Sequence, residues 1–317
     1  MDEEEPLSRV AREKKPKKHH FWRRLLLIIL AIILIIAGIG FFNLKNTTDK
    51  MYTKSGADMT RNGNKLLREH KPISILILGT DTGALGRHDT GRTDTMMIMT
   101  LNPDTKKTTL VSIPRDMEVN FPDYPQYSPA KINSAYTYGG VKEAINTVEQ
   151  HFNIPIDFYI LINMGGLEKA INDVGGVDVK SPLTFSYGGS SFVQGETQHM
   201  NGKTALNFAR MRHEDPMGDY GRQQRQRLVI EALLKKSISP FTVLNKSFLD
   251  SISDQVKTDL TLNDLRILAL SYRNVNQHFD STYVQGESQV IDGLDFQVVS
   301  QTERERIANL IWNSLKQ

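Results

Sequence analysis

The sequence predicts a layered α/β/α domain with a mixed central sheet, preceded by one N-terminal transmembrane helix. Three observations carry that expectation. An uninterrupted apolar run, Leu25 to Phe42, follows a basic leader. From residue 72 onward, apolar runs of strand length alternate with segments of helical spacing, the pattern of an α/β layered domain. The chain of 317 residues leaves enough after Asn43 for one sizeable core, and it has no cysteine to staple or metallate that core.

The apolar run has no charge, no proline and no polar side chain. Eighteen helical residues at about 1.5 Å each span roughly 27 Å, the core of a thin bilayer. The leader carries Arg9, Arg12, Lys14, Lys15, Lys17, Lys18, Arg23 and Arg24. The positive-inside bias keeps such a segment cytoplasmic and sends the C-terminal bulk across. A cleaved secretory signal is the competing reading. Its apolar region would be shorter and end in small residues, whereas this one ends Ile39-Gly40-Phe41-Phe42. A retained signal anchor fits better. The leader could also be a nucleic-acid arm, but it directly precedes the span, and a net charge of +3 is too small to argue for a nucleic-acid partner. The expected organisation is a basic cytoplasmic tail (1–24), a signal anchor (25–43), a polar stalk (44–71) and a folded domain (72–317). That is a single-pass type II protein whose domain faces outward, and a cysteine-free external domain suits a Gram-positive cell membrane.

Within the domain, Ile73 to Leu78 reads as a buried strand ended by Gly79. Thr95 to Leu101 is a second strand, and Asn102-Pro-Asp-Thr105 turns it into a third, Thr108 to Ile113. Gly140 to Phe152 has helical spacing, Asp157 to Ile162 is another buried strand, and Met164 to Val174 is a short helix stopped by Gly175-Gly176. Tyr187 to Gly202 is rich in Gly, Ser and Gln and reads as a loop. A short helix from Gly202 runs into an extended piece ending at Arg212. Arg222 to Ser237 is a strong helix. Leu262 to Val275 is another, with Thr261 as its N-cap. Thr282–Gln285 and Phe296–Val299 suggest late strands, and Thr302 to Lys316 closes the chain as a helix capped by Thr302 with Glu305 three residues on.

Chemistry concentrates at three element ends. Gly79-Thr80-Asp81 ends the first strand and is followed by Arg87, Arg92, Thr93 and Asp94. Ser112-Ile-Pro-Arg115-Asp116 ends the third. Arg210 and Arg212, then Asp219, Arg222, Arg225, Gln226 and Arg227, surround the start of the strong helix. Ligand sites of open α/β sheets gather at carboxyl ends of strands. Arg210 and Arg212 share a face if that piece is extended, and Arg222, Arg225 and Gln226 share a helical face. Guanidinium forks match phosphate oxygens, and a pair of Asp residues suits Mg²⁺ held jointly with substrate phosphates. The sum is a pyrophosphate site. The plain alternative pairs Arg92 with Asp94 and Arg212 with Asp215, but so many arginines at element ends outnumber their local carboxylates.

These segments, together with Lys131-Ile-Asn133, Gly139-Gly140 and Gly175-Gly176-Val-Asp-Val179, resemble the LytR-CpsA-Psr family over about residues 72–238, in the family's motif order. The resemblance implies a phosphotransferase at the outer membrane face. It would take an anionic glycopolymer, such as wall teichoic acid or capsular polysaccharide, from undecaprenyl pyrophosphate and join it to peptidoglycan N-acetylmuramic acid by a phosphodiester. Asp81 and Asp94 would hold Mg²⁺ (or Mn²⁺). Arg87, Arg92, Arg115, Arg210, Arg212, Arg222 and Gln226 would bind the pyrophosphate, with Asp94, Arg92 and Arg212 acting on the reacting group. Arg227 stands where the family often has a second glutamine. The polyprenyl tail would enter an apolar pocket between sheet and helices, whose lining looks like any core in sequence. Asp94 and Asp116 are both possible bases, and spacing selects neither. No G-x-S-x-G, H-E-x-x-H or Walker A pattern occurs. Two rivals stay open: a membrane-anchored regulator that binds lipid-linked phosphate without turnover, and a polyprenyl pyrophosphatase.

Overall fold

Ile73 to Leu78 becomes the interior of a six-stranded sheet because both of its faces are covered. The computed structural model describes residues 42–80, 91–212, 214–237 and 245–316. The expected tail and all but the last two residues of the expected span lie outside them, as do Asp81 and Arg87. Among the described residues no helix is long and apolar enough to cross a membrane.

Strands β1 (Ile73–Thr80), β2 (Thr93–Asn102) and β3 (Lys107–Ile113) form an antiparallel meander. Short β4 (Glu118–Val119) and β5 (Ala130–Lys131) pair beside it. β6 (Phe158–Asn163) adds parallel to β1. β7 (Val177–Lys180) pairs with β10 (Thr197–Met200), and β8 (Phe185–Tyr187) with β9 (Ser190–Phe192). β11 (Val256–Thr258) closes one edge against β6, and β12 (His278–Tyr283) runs parallel to β3 at the other. A last hairpin joins β13 (Glu287–Ile291) to β14 (Leu294–Val298). The main sheet order is β11-β6-β1-β2-β3-β12, mixed as expected.

Besides helical residues 42–51, the chain forms helices α1 (Gly63–Arg68), α2 (Ala135–Phe152), α3 (Met164–Asp173), α4 (Gly202–Arg210), α5 (Asp219–Ser237), α6 (Lys246–Ile252), α7 (Leu262–Ser271) and α8 (Gln301–Ser314). Period-2 alternation sorts β1 between two layers. Leu76 and Leu78 join Ile145, Val148 and Phe152 of α2 and Ile307 and Ile311 of α8. Ile73, Ile75 and Ile77 join Leu67 of α1, Ile230 and Leu234 of α5 and Leu265 and Leu268 of α7. A smaller core of Phe185, Phe192 and Phe208 packs the β7–β10 region against α4. The α/β/α layering follows directly from these burials.

Several expectations shift on detail. α2 begins at Ala135 but has non-helical backbone at Gly140 (φ 65°, ψ −152°), so the periodic stretch after it is the regular helix. Thr261 caps α7 in a capping box with Asp264. The cap of α8 is Ser300, which accepts from Glu303 N–H at 3.2 Å, and Thr302 lies inside the first turn. The Gly/Ser-rich segment expected as a loop holds β9 and β10, each too short for a periodic signal. Residues 44–71, expected as a stalk, belong to the compact unit Leu44–Gln317. Met51 and Leu67 are buried there, and Tyr52 bridges to Thr258 of β11.

Candidate functional site

β1, β3, β6 and β12 run in one direction, so Thr80, Ile113, Asn163 and Tyr283 end at one rim of the sheet. β2 starts at that rim. This is how residues far apart in sequence meet: Asp94 opens β2, Arg115-Asp116 follow β3, and the N-terminal turns of α5 pack above.

Arg115 is the hub. Its guanidinium lies 3.2 Å from Asp94, 3.5 Å from Asp116 and 3.8 Å from Asp219. Burial works against its charge, but the three carboxylates more than offset that, and its pKa rises above the usual guanidinium value. Arg222 pairs with Asp219 at 2.7 Å and donates to the Asp94 carbonyl at 3.4 Å. Arg222 is buried, and that burial lowers its pKa. Asp219 opposes the shift, and Arg115 and Arg212 add to it. Lys131 pairs with Asp116 at 2.9 Å, and Asn133 donates to Asp94 at 3.1 Å. The buried Nε of Arg222 and Oε1 of Gln226 have no hydrogen-bond partner among the described residues. The Arg222 Nε–H is a donor that an anion can satisfy, whereas Gln226 could hold an anion only through its Nε2 amide. The Arg92–Asp94 and Arg212–Asp215 pairings of the plain alternative are replaced: Asp94 pairs with Arg115, and Asp215 with Arg225.

Below this cluster lies a small apolar pocket of about 40 Å³ between the sheet rim and α3, α4 and α5. Ile77, Ile162, Leu167, Leu206, Val229 and Ile230 line it, while Thr80, Asn163, Arg210 and Gln226 supply its polar part. This is the lining that sequence alone could not separate from core. A second, polar groove of about 420 Å³ opens beside Arg212, Asp116 and Asp219. The expectation that Arg210 and Arg212 share a face is therefore corrected. α4 continues through Arg210, the chain turns extended at Met211, and the two arginines line different cavities. Arg92 is exposed at the start of β2.

Two arginines of the α5 motif are structural. Arg225 is fully buried, pairs with Asp215, and donates to the carbonyls of Phe208 (3.0 Å) and Met211. It thereby ties the α4–α5 connection to α5. Gly221 makes room for this, because a Cβ there would lie 2.0 Å from Asp215 Oδ2. Arg227 is buried against the Tyr283 ring and donates to Ser112 Oγ at 2.9 Å, and burial pulls its pKa down to about 10. Its bond to the end of β3 fixes the strand that presents Arg115.

Residues 39–312 match the LytR_cpsA_psr family model. The chain belongs to the LytR_cpsA_psr family. A relative in Enterococcus faecalis, a polyisoprenyl-teichoic acid–peptidoglycan teichoic acid transferase TagU, is 40% identical over 284 residues, covering 88% of this chain and 92% of its own. Among solved structures, an E. faecalis crystal structure described as a transcriptional regulator superposes with TM-score 0.70 at 35% identity, covering 78% of this chain and 89% of its own. A structure of TagT bound to LI-WTA gives TM-score 0.62 at 25% identity, covering 78% and 92%.

Proposed function

We propose that this protein transfers an anionic glycopolymer of the teichoic acid type from a polyprenyl pyrophosphate carrier to peptidoglycan, leaving a phosphodiester. The observation that carries this reading is the adjacency of an apolar pocket to a cluster of arginines with unsatisfied buried donors. The apolar lining of the first matches a lipid tail in kind, and the charge of the second matches its diphosphate. The E. faecalis relative's name and the ligand in the TagT structure support the same substrate class. The domain would work beside the membrane, held there by the 25–43 span with its bulk outside the cell.

Phosphoryl transfer depends mainly on positioning and charge stabilisation. Arg115, Arg222 and Arg212 would neutralise the diphosphate, with Arg92, Arg210 and Gln226 at its edges and Arg87 joining them. A new bond forms between the acceptor hydroxyl oxygen and the polymer-bearing phosphorus. The bond from that phosphorus to the lipid phosphate breaks, and the hydroxyl proton passes to a carboxylate of the cluster. Asp94 presents oxygen donors beside the arginines and is partly exposed, which fits a hard cation. Asp94 with Asp81 would hold Mg²⁺ (or Mn²⁺), which supplies further charge neutralisation on the diphosphate.

Arg212 is exposed, so Arg212→Ala leaves the fold intact and lowers transfer by about 10²–10³-fold. Product analysis with lipid-linked polymer, with and without glycan acceptor, checks this. Free phosphorylated polymer as the sole wild-type product would make the protein a pyrophosphatase, and binding without product would make it a regulator.

A further inference from the structure

α5 acts as a ruler across the site. Asp219, Tyr220 and Gln223 line the polar groove, Arg222 reaches the cluster, and Gln226, Val229 and Ile230 line the apolar pocket. Groove and pocket are thus about two helical turns, or roughly 10 Å, apart along one axis, with the guanidiniums between. Displacement at phosphorus needs the incoming and leaving oxygens roughly in line. If the lipid phosphate departs toward the pocket, the acceptor must arrive from the groove.

The groove is built for a neutral, hydroxyl-rich ligand. Gln223 is only 4% exposed. Its Nε2 donates to Asp219 at 2.9 Å, while its buried Oε1 has no partner among the described residues. A carbonyl oxygen so placed needs a hydroxyl or amide donor, and no anion can satisfy it. Asp116, Asp219 and Asp295 line the same groove beside Arg212, and Asp116 and Asp219 are already matched by Arg115, Lys131 and Arg222. The far wall is the β13–β14 hairpin, turned at Asp292-Gly293 with φ of 50° and 78°. It is fixed to the site: Gln297 N–H donates to the Asp116 carbonyl at 2.9 Å, Tyr220 Oη donates to Gln297 Oε1 at 2.9 Å, and Gln297 Nε2 donates to Ser288 Oγ at 2.6 Å.

We propose that this groove is the acceptor-glycan subsite, in which Gln223, Ser288, Asp295 and Gln297 hold the hydroxyl and acetamido groups of a peptidoglycan sugar. One of its hydroxyls then faces the phosphorus from the side away from the lipid pocket, beside Asp116. The hairpin is accordingly the element that sets acceptor specificity. The subsite rests on the transferase reading above.

The test is steady-state kinetics of the full-length, detergent-solubilised protein with lipid-linked polymer and a soluble glycan oligosaccharide of peptidoglycan type. Ser288 is exposed on β13, so Ser288→Trp fills the groove mouth without touching the core. Gln223→Leu removes the unpartnered oxygen at similar volume. Circular dichroism confirms that both are folded. Each should raise KM for the glycan by about tenfold or more, with KM for the lipid-linked donor unchanged. An unchanged glycan KM in folded Ser288→Trp, or a rise in donor KM instead, overturns the subsite. A wild-type protein that makes no glycan-linked product defeats the transferase reading itself. Normal wild-type transfer with unaffected variants defeats only the groove.

Discussion

Arg222 and Arg225 sit within one turn of α5 and do different work. Arg225 has its charge matched locally by Asp215 and two carbonyls, and nothing of it reaches either cavity. Arg222 shares Asp219 with Arg115 and keeps a buried Nε unpartnered. Truncating Arg225 strands a buried carboxylate, which costs about 3–5 kcal/mol. Arg225→Ala should therefore lower the denaturant midpoint sharply, with activity lost only as the fold is lost. A thermal or urea midpoint close to that of the wild type would contradict it. Sequence spacing put Arg222, Arg225 and Gln226 on one face and could not separate these roles. The deciding partners, Asp215 in the α4–α5 connection and the Phe208 carbonyl near the end of α4, are brought to Arg225 by a chain path that no periodicity encodes.

At the scale of elements, long buried strands and periodic helices were legible because their patterns report burial on one or both faces. The extents of β1, β2, β3 and β6 match their apolar runs to within a residue or two. Short β9, β10 and β11 carry too few alternations to register, and they form because neighbouring strands offer an edge. The apolar pocket was illegible for a different reason. Val229 and Ile230 look like any core residue of α5, and only the gap opposite them, between α3, α4 and the rim, distinguishes them. Ile230 is half-buried at that wall. Ile230→Trp should raise KM for a long-chain polyprenyl donor while leaving a short-chain analogue unaffected. Equal effects on both donors would place the tail elsewhere.

Across the whole molecule, two partly buried groups oppose each other in acid. Burial, aided by Arg304, lowers the His151 pKa to about 4 from 6.5. Between those values the unfolded chain binds more protons, so this term makes stability rise with pH. Burial raises the Asp259 pKa from 3.8 to about 6, against a hydrogen bond from Tyr159 N–H. There the folded chain binds more protons, and stability falls as pH rises. The wild-type protein should thus show a shallow stability profile between pH 4 and 6.5. Asp259→Asn should lose stability on acidification across that range, by up to about 1.4 kcal/mol per pH unit, and urea midpoints at several pH values check it. The strand order that brings the β1, β2 and β3 rims together with α5 is what converts scattered arginines into one site. The most direct measurement of that convergence is the dissociation constant of undecaprenyl pyrophosphate for the wild-type protein and for Arg222→Gln. The expected result is saturable wild-type binding that weakens at least about tenfold in the variant. Equal affinity in the two proteins would mean that the diphosphate does not sit between the pocket and the groove.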